Sequence, residues 1–153
     1  MKEKRIINEM KLRLPALGAN EGVARTCISA FAAELDPTVE ELCDLRCAIS
    51  EAVTNAVVHA YRDTEDRKNA FIYISARLYT GREITVEISD RGCGIDDPER
   101  AMGIGFTTGD AAERCGMGFL VMRSFTDSLK LKTAKGKGTS VLMRKIFKAG
   151  ESE

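Results

Sequence analysis

The 153-residue sequence is short of the features that mark several large protein classes. It has no net charge, because 23 lysines and arginines balance 23 aspartates and glutamates. Bulk electrostatic attraction to nucleic acid or to an anionic membrane is thereby removed, leaving only local patches. No apolar run approaches the roughly 18 residues that a membrane span needs. The basic start, Met1-Lys2-Glu3-Lys4-Arg5, is not followed by the apolar core of a signal peptide. The expectation is a cytoplasmic protein with no direct nucleic-acid partner and no membrane partner. Five cysteines are too few, and odd in number, for a disulfide scaffold. There is one histidine, His59, and no C-x-x-C, so a four-ligand zinc site lacks material. Cys43 and Cys47 lie four apart on a predicted helix, while Cys27, Cys93 and Cys115 are scattered. All five are expected to be small core and loop residues. The P-loop and the G-x-G-x-x-G dinucleotide fingerprint are also missing, as are repeats, low-complexity tracts and linkers.

What the chain does have suits one folded domain. It is 44% hydrophobic and 30% charged, a balance that supports a core rather than disorder. Its length fits about one domain, expected over 1–149 with a frayed tail at 150–153. Residues 7–14 alternate, Met10, Leu12 and Leu14 against Lys11 and Arg13, and predict a half-buried strand. A helical pattern from Asn20 to Leu35 places Val23, Cys27, Ala30 and Phe31 on one face, with Arg25 off it. Asp36-Pro37 ends that helix. Thr38 and Glu41 form a T-x-x-E capping box for a second helix reaching Ala60. Its core stripe is Leu42, Leu45, Ile49, Val53 and Val57.

After a charged loop over 62–69, residues 70–79 alternate with Ile72, Ile74, Ala76 and Leu78 inward. Thr80-Gly81-Arg82 is a hairpin turn, and Ile84, Val86 and Ile88 mark the returning strand. A glycine-rich zone from Asp90 to Gly118 follows, with a short helical piece near Pro98–Ala101. A helix of about ten residues begins near Gly116. A last hairpin, 128–134 and 139–147, turns at Lys135-Gly136-Lys137-Gly138. The order β-α-α-β-β-α-β-β predicts an α+β two-layer sandwich: helices on one mixed, mostly antiparallel sheet.

Four features could carry chemistry. Glu51, Asn55 and His59 recur every four residues on one helix face. That line reads equally as a solvated polar face or as a site, although asparagine is a poor residue for a helix interior. Asp90-Arg91-Gly92-Cys93-Gly94 follows a strand directly. It is either an ordinary turn or an aspartate beside glycines that let a flat ligand approach. Gly103-Ile104-Gly105 through Gly116-Met117-Gly118 leads into a helix, where free N–H groups favour phosphate. Thr107, Thr108 and Arg114 add hydroxyls and a positive charge. Gly138-Thr139 opens the last strand.

The four occur in the order Glu-x-x-x-Asn, D-x-G-x-G, G-x-G, G-T over nearly the whole chain. This resembles the GHKL superfamily of ATP-binding domains, which share the Bergerat fold. Ser50-Glu51-Ala52-Val53-Thr54-Asn55-Ala56, Phe106-Thr107-Thr108 and Glu113-Arg114-Cys115-Gly116-Met117-Gly118-Phe119 are similar to the stand-alone anti-sigma factor serine kinases. So is the segment Asn20-Glu21 through Ala24-Arg25. The resemblance implies a homodimeric protein serine kinase that uses ATP, leaves ADP and requires Mg2+. It would hold a sporulation sigma factor inactive and phosphorylate a serine of its anti-anti-sigma antagonist. A stress-response sigma factor, or an ATP-gated binding module without useful transfer, is the alternative. It further implies Glu51 as general base and Asn55 as the Mg2+ ligand. Asp90, with Thr139, would take the adenine amino group, and Gly92 and Gly94 would leave room for the purine. Gly116, Met117 and Gly118 would give N–H groups to the phosphates. Thr107, Thr108 and Arg114 would sit in a lid over 97–115, and Arg25 would contact a partner.

Overall fold

The computed structural model describes residues 3–62, 64, 65, 67–95 and 118–148. Five strands form one sheet: β1 (Ile6–Pro15), β2 (Phe71–Tyr79), β3 (Glu83–Asp90), β4 (Ser128–Ala134) and β5 (Gly138–Ile146). The order across it is β1-β2-β3-β5-β4. Where a mixed sheet was expected, all four pairings are antiparallel. Two hairpins explain this locally, since tight turns join only antiparallel strands. β1, detached in sequence, adds to the β2 edge with Leu12 opposite Ile74.

Alternation decides the buried face. Ile72, Ile74, Ala76 and Leu78 of β2 and Ile84, Val86 and Ile88 of β3 are all buried, as are Val141 and Met143 of β5. Against that face lie α1 (Ala19–Ala32) and α2 (Val39–Asn55), together with helical residues 118–124. Phe119 and Met122 enter the same core from that last segment. The opposite sheet face is wet and polar, with Arg13 stacked over Phe71 and Arg91 over Tyr73.

α1 turns differently from the expected stripe. Ala24, Ile28 and Ala32 are its buried residues, whereas Val23 is exposed and Ala30 faces solvent. The helix has small apolar residues on several sides, so periodicity alone does not fix its face. Alanines won the inner positions because α1 packs closely on α2. A 3-10 turn, Ala33–Leu35, finishes it, and Asp36 takes a left-handed conformation before Pro37.

α2 starts on the expected capping box. The Glu41 N–H donates to Thr38 Oγ1 at 3.1 Å, and the Thr38 N–H donates to Glu41 Oε1 at 3.0 Å. Burial raises the Glu41 pKa, but the N–H groups of Thr38 and Lys148 outweigh it and leave the carboxyl below its usual range. Leu45, Ile49 and Val53 are buried as the stripe requires, with Leu42 and Val57 packed against them. Beyond Asn55 the helix widens into a single π turn, Ala56–Ala60.

Among the described residues no cysteine is a core residue. Cys43 and Cys47 are exposed, and Cys27 and Cys93 are half-buried. At i and i+4 the first two lie on the helix face away from the Leu45 stripe. Cys115 lies outside the described residues, as do the piece near Pro98–Ala101 and the tail at 150–153. Among the described residues no helix is long and apolar enough to cross a membrane.

Candidate active site

Glu51 and Asn55 sit one turn apart on α2, both half-buried. They face Gly118, at the start of the helical segment that closes over them. A Cβ built on Gly118 would lie 3.1 Å from Glu51 Oε2 and 3.4 Å from Asn55 Nδ2. The glycine therefore leaves open the space in front of these two side chains. Asn55 Nδ2 is buried and finds no hydrogen-bond partner among the described residues. Leaving a buried amide donor unpaired costs about 1–3 kcal/mol. An amide held so, beside a carboxylate and an open space, is built for a polar ligand that supplies the missing bonds.

The π turn carries the helix on to His59 and Ala60. π turns inside α-helices are frequent at functional sites. Here the turn anchors the loop after β3. The Cys93 N–H donates to the Ala60 carbonyl at 2.8 Å, and Cys93 Sγ lies 3.5 Å from the His59 carbonyl. Tyr61 fixes the other side. Its hydroxyl donates to the Phe71 carbonyl at 2.6 Å and accepts the Arg91 N–H at 2.8 Å. Burial pushes its phenol pKa up. Sequence reasoning missed Tyr61, because nothing in its spacing distinguishes it from an ordinary core aromatic.

Asp90 ends β3 at the mouth of this loop. Its Oδ1 accepts the Gly92 N–H at 2.9 Å and the Thr139 N–H at 3.2 Å. Burial raises the Asp90 pKa, and those two N–H groups offset it only in part. Oδ2 takes no hydrogen bond among the described residues, so one acceptor is left for a ligand. The loop glycines have a reason other than the one expected. A Cβ at Gly92 would collide with the Ala60 carbonyl, and one at Gly94 with the Ala134 carbonyl. A Cβ at Gly138 would meet the Asp90 carbonyl, and Gly138 has φ +89° besides. The glycines are demanded first by the protein's own backbone, which they let converge around Asp90.

Thr133 is a second residue that sequence reasoning missed. Its Oγ1 accepts the Ile95 N–H at 2.8 Å and lies 3.0 Å from Thr139 Oγ1. The register of the last hairpin, with Thr133 opposite Thr139, was the signal that pairs them.

Asn55, His59, Asp90, Gly94 and Thr139 line one cleft with an apolar floor of Ile88, Phe119 and Val141. Its empty space, the open mouth included, is about 430 Å³. The two ends differ: Asp90 and Thr139 present a polar edge above an apolar floor, while Asn55 leads toward Glu51. A flat heteroaromatic group fits the first end, and an anionic group with a hard cation fits the second. Among the described residues no cluster of three or more His, Cys, Asp or Glu forms a metal site. Asn55 Oδ1 is a hard donor and fits Mg2+, which keeps waters and phosphate oxygens as its other ligands.

Arg25, expected to contact a partner, is partly engaged within the chain. Its Nη1 donates to Glu21 Oε1 at 3.0 Å and approaches Ser50 Oγ at 3.4 Å. Its Nε is buried without a partner among the described residues. Arg25, Arg46, Cys47 and Ser50 line a groove that reaches Glu51. The structure thus brings together Arg25 and Glu51, which the sequence left 26 residues apart. Thr107, Thr108, Arg114, Gly116 and Met117 lie outside the described residues.

Comparison with known proteins agrees with this geometry. Residues 14–145 match the family model of the histidine kinase-like ATPase domain. The anti-sigma F factor of Clostridium acetobutylicum is 45% identical over 140 residues, covering 92% of this chain and 94% of that protein. The anti-sigma F factor of Thermoanaerobacter sp. is 47% identical over the same length, with the same coverage. The chain therefore belongs to the histidine kinase-like ATPase family, and within it to the anti-sigma F factor family. Solved structures share the fold. The RsbU and RsbW domains of a Mycobacterium tuberculosis protein superpose with a TM-score of 0.66 at 19% identity, covering 92% of this chain and 32% of that one. The SiaB–SiaC complex of Pseudomonas aeruginosa gives 0.64 at 12% identity, covering 92% and 89%.

Proposed function

We infer that this chain is an ATP-dependent anti-sigma factor and protein serine kinase. It holds a sporulation sigma factor inactive in the cytoplasm and phosphorylates a serine of the anti-anti-sigma protein that opposes it. It works as a homodimer. The observation that carries the kinase reading is the pairing of Glu51 with the unpartnered Asn55 amide in front of Gly118. The names of the relatives support the sigma factor as target.

ATP supplies the γ-phosphoryl group, and Mg2+ neutralises charge on the phosphates, so the protein's task is positioning. Asp90 Oδ2 accepts from the adenine amino group, and Thr139 stands beside it. The apolar floor of Ile88 and Val141 takes the ring. Asn55 would hold the metal through Oδ1. The absent Cβ of Gly118 lets phosphate oxygens come close, and by the family resemblance the N–H groups of Gly116, Met117 and Gly118 and the side chains of Thr107, Thr108 and Arg114 would bind them. Glu51, at the end of the groove that Arg25 lines, takes the proton of the incoming serine hydroxyl.

The test is transfer of label from γ-32P-ATP to anti-anti-sigma proteins of the same genome. Mg2+-dependent labelling of one serine is the expected result. Tight ATP binding with no transfer to any such protein would leave only an ATP-gated binding module.

A further inference from the structure

Two thiols stand on the approach to Glu51. Cys43, Cys47 and Glu51 recur every four residues on α2, one above another on one side of the helix. Cys43 and Cys47 are exposed and in no disulfide, and both line the groove that reaches Glu51. Arg25 and Arg46 line it too, and Val121 and Phe125, from the segment after Gly118, make it a cleft rather than an open helix face. The two thiols are poorly placed to bond to each other. Side chains four apart on a helix hold their Cβ atoms about 5–6 Å apart, whereas a disulfide needs about 3.5–4.5 Å. A group attached to one sulfur is therefore not displaced by the other unless a turn of α2 unwinds.

We propose that Cys43 and Cys47 form a covalent modification site for small carboxylate-bearing disulfides, and that an adduct there shuts the groove to the serine protein while the nucleotide cleft stays open. The inference rests on the reading of Glu51 as the base and of the groove as the path of the serine. A cysteine thiolate attacks one sulfur of the incoming disulfide. The new S–S bond forms as the old one breaks, and the other half leaves as a thiolate, so no further oxidant is consumed. The guanidinium groups of Arg25 and Arg46 suit the carboxylates of such a molecule. An adduct on Cys47 stands one turn from Glu51, in the space that a serine hydroxyl has to cross. The nucleotide cleft, lined by Asn55, Asp90 and Thr139, includes neither cysteine.

The experiment treats the full chain with glutathione disulfide and locates adducts by peptide mass spectrometry. Single-turnover transfer to the serine protein and ATP affinity by calorimetry are read before treatment, after it, and after dithiothreitol. Cys27→Ser/Cys93→Ser/Cys115→Ser retains only the pair, and adding Cys43→Ser/Cys47→Ser removes every thiol. In the pair-only chain treatment should attach glutathione and lower transfer about a hundredfold, the scale of a misplaced substrate. ATP affinity should stay within about threefold, and dithiothreitol should restore transfer. In the thiol-free chain the ratio of treated to untreated transfer should be unity. Should the pair-only chain fail to fold, wild type against Cys43→Ser/Cys47→Ser makes the same comparison, since both changed positions are exposed. Absence of an adduct, an adduct with unchanged transfer, a disulfide between the two cysteines, or a parallel fall in ATP affinity would overturn the proposal and leave the kinase reading standing. An untreated chain that transfers nothing to any serine protein would overturn that reading, and the proposal with it.

Discussion

Glu51→Gln separates chemistry from binding more sharply than any other single change. Glutamine is isosteric with glutamate, so the space in front of Gly118, where a Cβ would already stand 3.1 Å from Glu51 Oε2, neither opens nor fills. The shape stays, one oxygen still accepts, and the charge and the ability to take a proton are lost while the other oxygen becomes an N–H donor. A general base contributes about 10²–10⁴ in rate, equivalent to about 2.7–5.4 kcal/mol at 1.36 kcal/mol per decade. ATP affinity should remain within about threefold of wild type, a change under 1 kcal/mol. Single-turnover transfer from labelled ATP to the serine protein, with both partners saturating, isolates the step. Titration calorimetry supplies the affinity, and capture of the sigma factor should survive. A wild-type transfer rate would remove Glu51 as the base. A parallel loss of ATP affinity would instead place Glu51 on the metal. The contrasting change, Asn55→Ala, removes an amide whose Nδ2 has no partner among the described residues. It should leave unfolding free energy within about 1 kcal/mol of wild type, since the lost packing is offset by relief of the buried donor, while Mg2+-dependent ATP binding collapses.

Three further outcomes are expected. Asp90→Asn should weaken ATP binding and loosen its selection over GTP, yet raise the thermal midpoint at pH 7. Burial holds the Asp90 pKa above its unfolded value, so stability falls as pH rises from the unfolded pKa through the folded one, and the advantage of the amide should vanish as pH is lowered through that window. Arg25→Glu should weaken sigma or anti-anti-sigma capture in pull-downs while ATP affinity by calorimetry holds, and unaltered capture of both would clear Arg25 of contact. Glu83 is buried and ion-paired with Arg144 and Lys4, both substantially exposed; Arg144→Ala, which leaves the buried carboxylate with Lys4 alone, should cost roughly 1–3 kcal/mol in urea unfolding, and more than Glu83→Gln, whose partners can rehydrate.

The strands were legible because the sheet has one buried face. Period-two alternation in 70–79 and 84–88 identifies the side chains that the structure buries, and the turn at Thr80-Gly81-Arg82 fixes their pairing. The capping box at Thr38 and Glu41 marks the start of α2 to the residue. α1 was less legible. Its apolar residues are small and spread around the helix, so the burial of Ala24, Ile28 and Ala32 depends on the close approach of α2, which no local pattern encodes. The cysteines failed for a related reason. Residue type favours burial of Cys43 and Cys47, but their position beside the Leu45 stripe is set by helical phase, and phase put them outside.

The site divides along the same line. Glu51 and Asn55 stood out only through the order of the four motifs, because their line alone reads equally as a solvated polar face on a helix that also carries Glu40, Glu41, Asp44 and Arg46. Asp90 was readable as an acid at a strand end. The meaning of the glycines was not. Gly92 and Gly94 were expected to make room for a base and Gly138 only to open a strand, and the atoms that would meet a Cβ at the three belong to Ala60, Ala134 and the Asp90 carbonyl. Three chain segments meet at that point, the π turn after α2, the loop after β3 and the β4–β5 hairpin, and contacts between them are long-range facts. Their consequence is functional all the same. Asp90 is held by N–H groups of two of these segments, and Thr139 is held by a hydroxyl of the hairpin. The edge proposed to recognise the base is thus assembled by backbone convergence, and a bulkier residue at any of the three glycines should lower ATP affinity in calorimetry by displacing Asp90.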